Sequence, residues 1–194
     1  MLVIHLEGQS ELSAGTKSDR EELAPLPAGR DQARLQGRPD RDSWCTPKWF
    51  ADALGPWDLD PCSNARSHIQ AVRTFDLARG EDGIALAYTV VDATRVFLNT
   101  PYSRGMVAKF FAAYRHTRWC FLLRFDPSTE WFQNVYNAAS LIAVPVGRRV
   151  NFEPPPGAKS GSNPYPHALF YARAEDATPE ILAACIAWKK RTRP

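Results

Sequence analysis

Between residues 95 and 105 the chain reads Arg95-Val96-Phe97-Leu98-Asn99-Thr100-Pro101-Tyr102-Ser103-Arg104-Gly105. A short apolar run, patterned as a buried strand, stops at a polar residue, a proline and an aromatic. Pro101 biases Thr100 toward an extended conformation and brings no N–H of its own. The carbonyls of Asn99 and Thr100 then point outward instead of entering a helix. The product is a strand end with an amide side chain, carbonyl acceptors and one aromatic face. That set suits a planar group with an exocyclic amine: acceptors take its N–H bonds and the ring stacks on it.

The elements that must position this loop are of α/β type. Downstream, Met106, Val107, Phe110, Phe111 and Tyr114 recur at helical spacing. Trp119 to Leu123 is a strongly apolar strand. Asp126-Pro127-Ser128-Thr129-Glu130 has helix-start chemistry, with Trp131, Phe132 and Val135 behind it, and Leu141 to Val146 is another buried strand. The alternation predicts a mostly parallel sheet with helices on both faces. A late strand is expected at 168–172 and a closing helix from Thr178-Pro179 to Lys190.

Upstream, Thr46-Pro47 begins and Gly55-Pro56 ends a helix whose apolar stripe is Trp49, Phe50, Ala53 and Leu54. A capped packing helix accounts for all of these residues. Trp57-Asp58-Leu59-Asp60-Pro61-Cys62-Ser63-Asn64 reads as a short strand ending in a polar turn, the place where open α/β sheets bind ligands. No Gly-x-Gly loop follows it, which counts against a dinucleotide enzyme. Asp82-Gly83 is a turn signal in its own right. The 147–167 segment, rich in Pro, Gly and Ser and framed by Arg148, Arg149 and Lys159, is either a solvated hairpin loop or a phosphate-contacting one.

At 194 residues the chain holds one full-sized core plus a tail. Six basic and eight acidic residues fall in 1–43, leaving 18 of the 24 basic and 13 of the 21 acidic ones for 44–194. The body is therefore positive, compatible with a polyanionic partner. Residues 1–43 are expected to be a flexible N-terminal tail. Arg30, Arg34, Arg38 and Arg41 could serve a nucleic-acid arm, but Asp31, Asp40 and Asp42 interleave with them and favour a solvated linker. Cys45, Cys62, Cys120 and Cys185 lack the spacing of a zinc site and suit free thiols in a reducing compartment. Neither a signal peptide nor a membrane-spanning run is apparent, which points to the cytoplasm.

The Asn99-Thr100-Pro101-Tyr102 loop resembles the Asp/Asn-Pro-Pro-Tyr loop of amino-group methyltransferases, with threonine in place of one proline. Further matches in order make the resemblance one to phage-type DNA N6-adenine methyltransferases, from Trp44 to about Tyr171. They are Trp44-x-Thr46-Pro47, Asp58-x-Asp60-Pro61-Cys62-Ser63, Asp82-Gly83-Ile84, and Gly147-Arg148 with Phe152. The resemblance implies a Rossmann-like, S-adenosylmethionine-dependent fold over 44–194. It places Trp44, Thr46, Pro47, Asp60, Ser63, Asn64 and Asp82 at the cofactor. It gives Asn99, Thr100, Pro101 and Tyr102 the chemistry on a flipped adenine, and leaves Ser103, Arg104, Arg148, Arg149 and Lys159 to the DNA. The same loop chemistry would serve an RNA base or a protein glutamine, and a catalytically inactive nucleic-acid-binding module would keep the same platform.

Overall fold

A computed structural model of the chain describes residues 43–103 and 105–189. The tail expected over 1–43, save for Ser43, lies outside the described residues, and so does Arg104. Among the described residues seven strands and four α-helices follow one another: α1 (Lys48–Leu54), β1 (Trp57–Ser63), β2 (Ala71–Asp76), β3 (Arg95–Leu98), α2 (Met106–Tyr114), β4 (Arg118–Arg124), α3 (Glu130–Ala138), β5 (Leu141–Pro145), β6 (His167–Tyr171), α4 (Pro179–Ala184) and β7 (Cys185–Lys189). No helix among the described residues is long and apolar enough to cross a membrane.

The strands form one sheet in the order β2-β1-β3-β4-β6-β5-β7. Its β2-β1-β3-β4 half is parallel, and every remaining neighbour pair is antiparallel. The expectation of a mostly parallel sheet is thus corrected to a mixed one. The cause lies in the connection after β5. A parallel neighbour needs a crossover, usually helical, whereas residues 146–166 lead from β5 straight back into the antiparallel β6 without a helix.

Successive residues of the strands feed two cores, one on each face. Val96, Leu98, Trp119, Phe121 and Leu123 pack with Phe110, Tyr114, Phe132 and Val135 of α2 and α3. Phe97, Cys120, Leu122, Leu169 and Tyr171 pack with Phe50, Leu54 and Ile181 of α1 and α4. Helices therefore cover both faces, which is why β3 and β4 are apolar without alternation.

The closing helix expected to run to Lys190 stops at Ala184, and Cys185–Lys189 is β7 instead. Its start is as expected: Thr178 Oγ1 accepts from Ile181 N at 3.2 Å, with Pro179 at the first turn. The open edge of β5 then outcompetes helical propensity, pairing Ile142 with Trp188 and Val144 with Ile186.

Candidate active site

From β1 the chain moves outward to β2, then returns to the other side of β1 to form β3. Connections diverge at the carboxyl ends of β1 and β3, and such a divergence leaves a crevice. Asp60 to Asn64 stand at one rim of it, and Asn99 follows directly on β3 at the other. Buried Val96, Phe97 and Leu98 fix the strand, so the first polar residue after them is delivered at its tip.

Asn99 is oriented by a residue far away in sequence. Its Nδ2 donates to Thr46 Oγ1 at 3.2 Å, which leaves Oδ1 as the amide's acceptor. Thr46 was expected to cap α1, but Pro47 holds the N-cap position and the threonine hydroxyl makes no cap bond. Pro47 instead supplies the carbonyl that accepts from Phe50 and Ala51. Thr100 is 2% exposed, and its hydroxyl has no hydrogen-bond partner among the described residues. Tyr102 is tied to the end of β4: its hydroxyl accepts from Arg124 N at 3.0 Å and donates to Leu122 O at 3.4 Å. Burial pushes its phenol well above the ordinary range, so it stays protonated.

Asn99, Thr100, Pro101 and Tyr102 form one wall of a cleft of about 410 Å³. Trp44 lines it as well. Arg124, Phe152, Lys159 and the 161–167 segment complete it. The His167 ring meets Tyr102 edge-on, centroids 6.2 Å apart. Burial, helped by the neighbouring Arg124, lowers the His167 pKa to about 4 against the opposing bond to Tyr165 O. His167 is therefore neutral at physiological pH. The size of the cleft suits one planar heterocycle and its attached groups.

The remaining predicted cofactor residues gather at the end of β1 and do not line this cleft. Asp60 is 3% exposed and accepts from Cys62 N at 3.0 Å and Ser67 Oγ at 3.4 Å. Burial raises its pKa to about 6 against those bonds and one from Ser63. Asn64 Oδ1 accepts from Arg66 N at 2.9 Å, the local turn that its type suggests. Asp82 Oδ1 likewise accepts from Ile84 N and Ala85 N at 2.8 and 3.2 Å. Gly83 presses so closely on Pro61 that a Cβ there would collide with the Pro61 carbonyl. Tyr114 donates to Gly83 O at 2.6 Å, pinning the Asp82 turn beside β1.

The basic candidates divide. Lys159 lines the cleft, and Ser103 is exposed just beyond Tyr102. Arg148 instead lies over the Trp49 ring at 3.3 Å, while Arg149 donates to the carbonyls of Asn163 and Pro164 and braces its own loop. Sequence reasoning missed three residues. Arg124 and His167 face each other in register across β4 and β6, and Asp76 is buried at the carboxyl end of β2. Position at a strand end was the signal for Asp76. Nothing marked the other two until the sheet order placed them together.

A mixed α/β protein with an amide side chain, a tyrosine ring and an arginine gathered in one cleft at the ends of β3 and β4 is the class that fold and site define. The model of the DNA N-6-adenine-methyltransferase (Dam) family matches residues 35–187, and the chain belongs to that family. Membership implies a methyltransferase acting on adenine in DNA. No curated protein and no solved structure gives a significant match to the chain.

Proposed function

We propose that the protein binds S-adenosylmethionine at the β1 rim and methylates N6 of an adenine turned out of DNA, at specific sites. The observation that carries this reading is the Asn99 amide, anchored through Nδ2 on Thr46 so that Oδ1 is left for a substrate N–H. The donor set fits the cofactor: Asp60 and Asp76 on neighbouring strands, with Asp82 in the turn docked beside β1, offer carboxylates to ribose hydroxyls and an ammonium. Trp44, Thr46, Pro47, Ser63 and Asn64 would enclose it. By this reading the β2-β1-β3-β4 half is the cofactor-binding part of a Rossmann-like fold, and residues 44–194 are the methyltransferase domain. Four free thiols suit the cytoplasm.

When bound, the cofactor supplies an electrophilic methyl group. The chain supplies position and polarity. An adenine amine is hidden in the duplex stack, so the base must leave it, at a cost of a few kcal/mol by general estimates. The Tyr102 ring offers stacking worth about 1–3 kcal/mol, and its hydroxyl bonds to β4 hold that ring without further ordering cost. Asn99 Oδ1 and the Thr100 carbonyl accept the two N6 protons, which favours a pyramidal, nucleophilic nitrogen and stabilises positive charge developing there. No strong base is needed if the proton leaves after the bond has formed.

Unmethylated DNA incubated with the protein and S-adenosylmethionine should yield N6-methyladenine by nucleoside mass spectrometry. Asn99→Ala should lower the rate by about 10²–10³-fold, the usual scale for one such acceptor, with cofactor binding retained. Full turnover in that variant would remove the mechanism. Cofactor binding without any modified base would redirect the assignment to RNA or protein glutamine. Absence of both would leave a non-catalytic module.

A further inference from the structure

Four arginines among the described residues are half-buried, and three of them have oxygen acceptors. Arg66 donates to Pro154 O and Ser43 O at 2.8 and 2.6 Å. Arg95 and Arg118 both pair with Asp176. Arg124 is the exception. Its Nε is buried without a partner, and no carboxylate among the described residues lies within ion-pair distance. Its guanidinium is instead flanked by two rings, 3.9 Å from the Tyr165 centroid and 5.4 Å from that of Tyr102.

An arginine cannot shed its charge to escape burial. Ring faces compensate part of the lost hydration, but they leave the in-plane N–H groups unsatisfied. The surroundings supply nothing more. Among the described residues no acidic one lines the cleft, Lys159 adds a second cation, and His167 is a neutral neighbour. A planar fork of donors in a cleft of net positive charge is complementary to a tetrahedral oxyanion.

Building on the functional reading above, we infer that Arg124 binds a phosphodiester of the nucleotide whose base enters the cleft, with Lys159 as the second cation. Arg124 thereby fixes the strand's backbone while Asn99 and Tyr102 hold the base. The phosphate contact moves from Arg148 and Arg149, whose guanidinium groups are engaged elsewhere, to a residue at the end of β4.

The test is the salt dependence of DNA binding, which counts phosphate contacts without requiring turnover. On a mixed-sequence unmethylated duplex, Arg124→Gln should weaken binding about tenfold at low salt. It should also make the slope of log K against log salt shallower by about 0.9. Arg124→Lys should keep most of the slope, because it keeps the charge. Thermal unfolding of each variant would show that the fold survives. An unchanged slope in Arg124→Gln overturns the assignment. Equal loss of slope in both variants also overturns it, by making the role one of packing between the tyrosines. A wild-type protein that binds DNA but produces no N6-methyladenine sinks the functional reading and leaves this comparison standing. Normal methylation with an unaltered Arg124→Gln slope sinks only this assignment.

Discussion

Asp60 and His167 are buried on the cleft side of the sheet, and pH acts on them in opposite senses. Asp60 has its carboxyl raised from 3.8 to about 6, so the folded state holds a proton that the unfolded chain has released. Its contribution to stability falls as pH rises from about 4 to 6. His167 is lowered from 6.5 to about 4, so the unfolded chain takes up a proton first and stability falls as pH drops over that window. Each shift is worth about 3 kcal/mol, so the two largely cancel in the wild type. Urea titrations should expose them singly. Asp60→Asn should gain about 3 kcal/mol on the wild type between pH 4 and 6.5, and His167→Gln should gain a similar amount in the reverse direction. The residues of the central loop were legible because proline and tyrosine directly after a polar residue leave few conformations. Thr46 was legible as important but for another reason, since a hydroxyl before Pro47 reads as a cap. Arg124 was not legible, because an arginine closing an apolar strand usually reaches to solvent.

Among the elements, the Asp82-Gly83-Ile84 turn shows how a local signal acquires a longer reach. A turn there could be read from Asp-Gly alone, but its docking on Pro61 depends on the absence of a Cβ. Gly83→Ala should cost about 1–3 kcal/mol by overpacking and weaken S-adenosylmethionine binding in calorimetry, since the turn would separate from β1. Gly161 has open space around the same added atom, and Gly161→Ala should stay within about 0.5 kcal/mol of the wild type. The helix-to-strand change at Cys185 has a comparable origin. The pattern Cys185-Ile186-Ala187-Trp188 fits either period over so few residues. The vacant edge of β5 decides between them, and that edge is set by the distant residues Leu141 to Pro145.

At the scale of the molecule, the two edges of the sheet do different work. The carboxyl ends of β3 and β4 and the start of β6 carry the cleft, whereas Arg95 and Arg118 at the opposite ends of β3 and β4 converge on buried Asp176. Removing one partner of a buried pair strands the other charges. The arginines are 28% and 36% exposed in their side chains, so Asp176→Ala should cost about 2 kcal/mol, below the fully buried range. Its turnover at permissive temperature should equal the wild type, and a fall in kcat there would mean that the two edges are coupled. The order of elements from α1 to β6 could be read from the chain save for β2, as could the coverage of both faces. The direction of β6 could not, because the Pro- and Gly-rich stretch over 146–166 is compatible with a crossover or a simple return. That return has an evolutionary consequence. β5 ends and β6 begins at the carboxyl edge, and the segment between them is tied back to the body by the Cys45–Glu153 bridge, by Arg66 on Pro154 O and by buried Val150, which leaves residues 155–162 as its free part. Lengthening such a loop costs little in closure entropy. Insertions in that free part would therefore reshape one rim of the cleft, where Lys159, Gly161 and Ser162 stand, and leave the scaffold beneath unchanged.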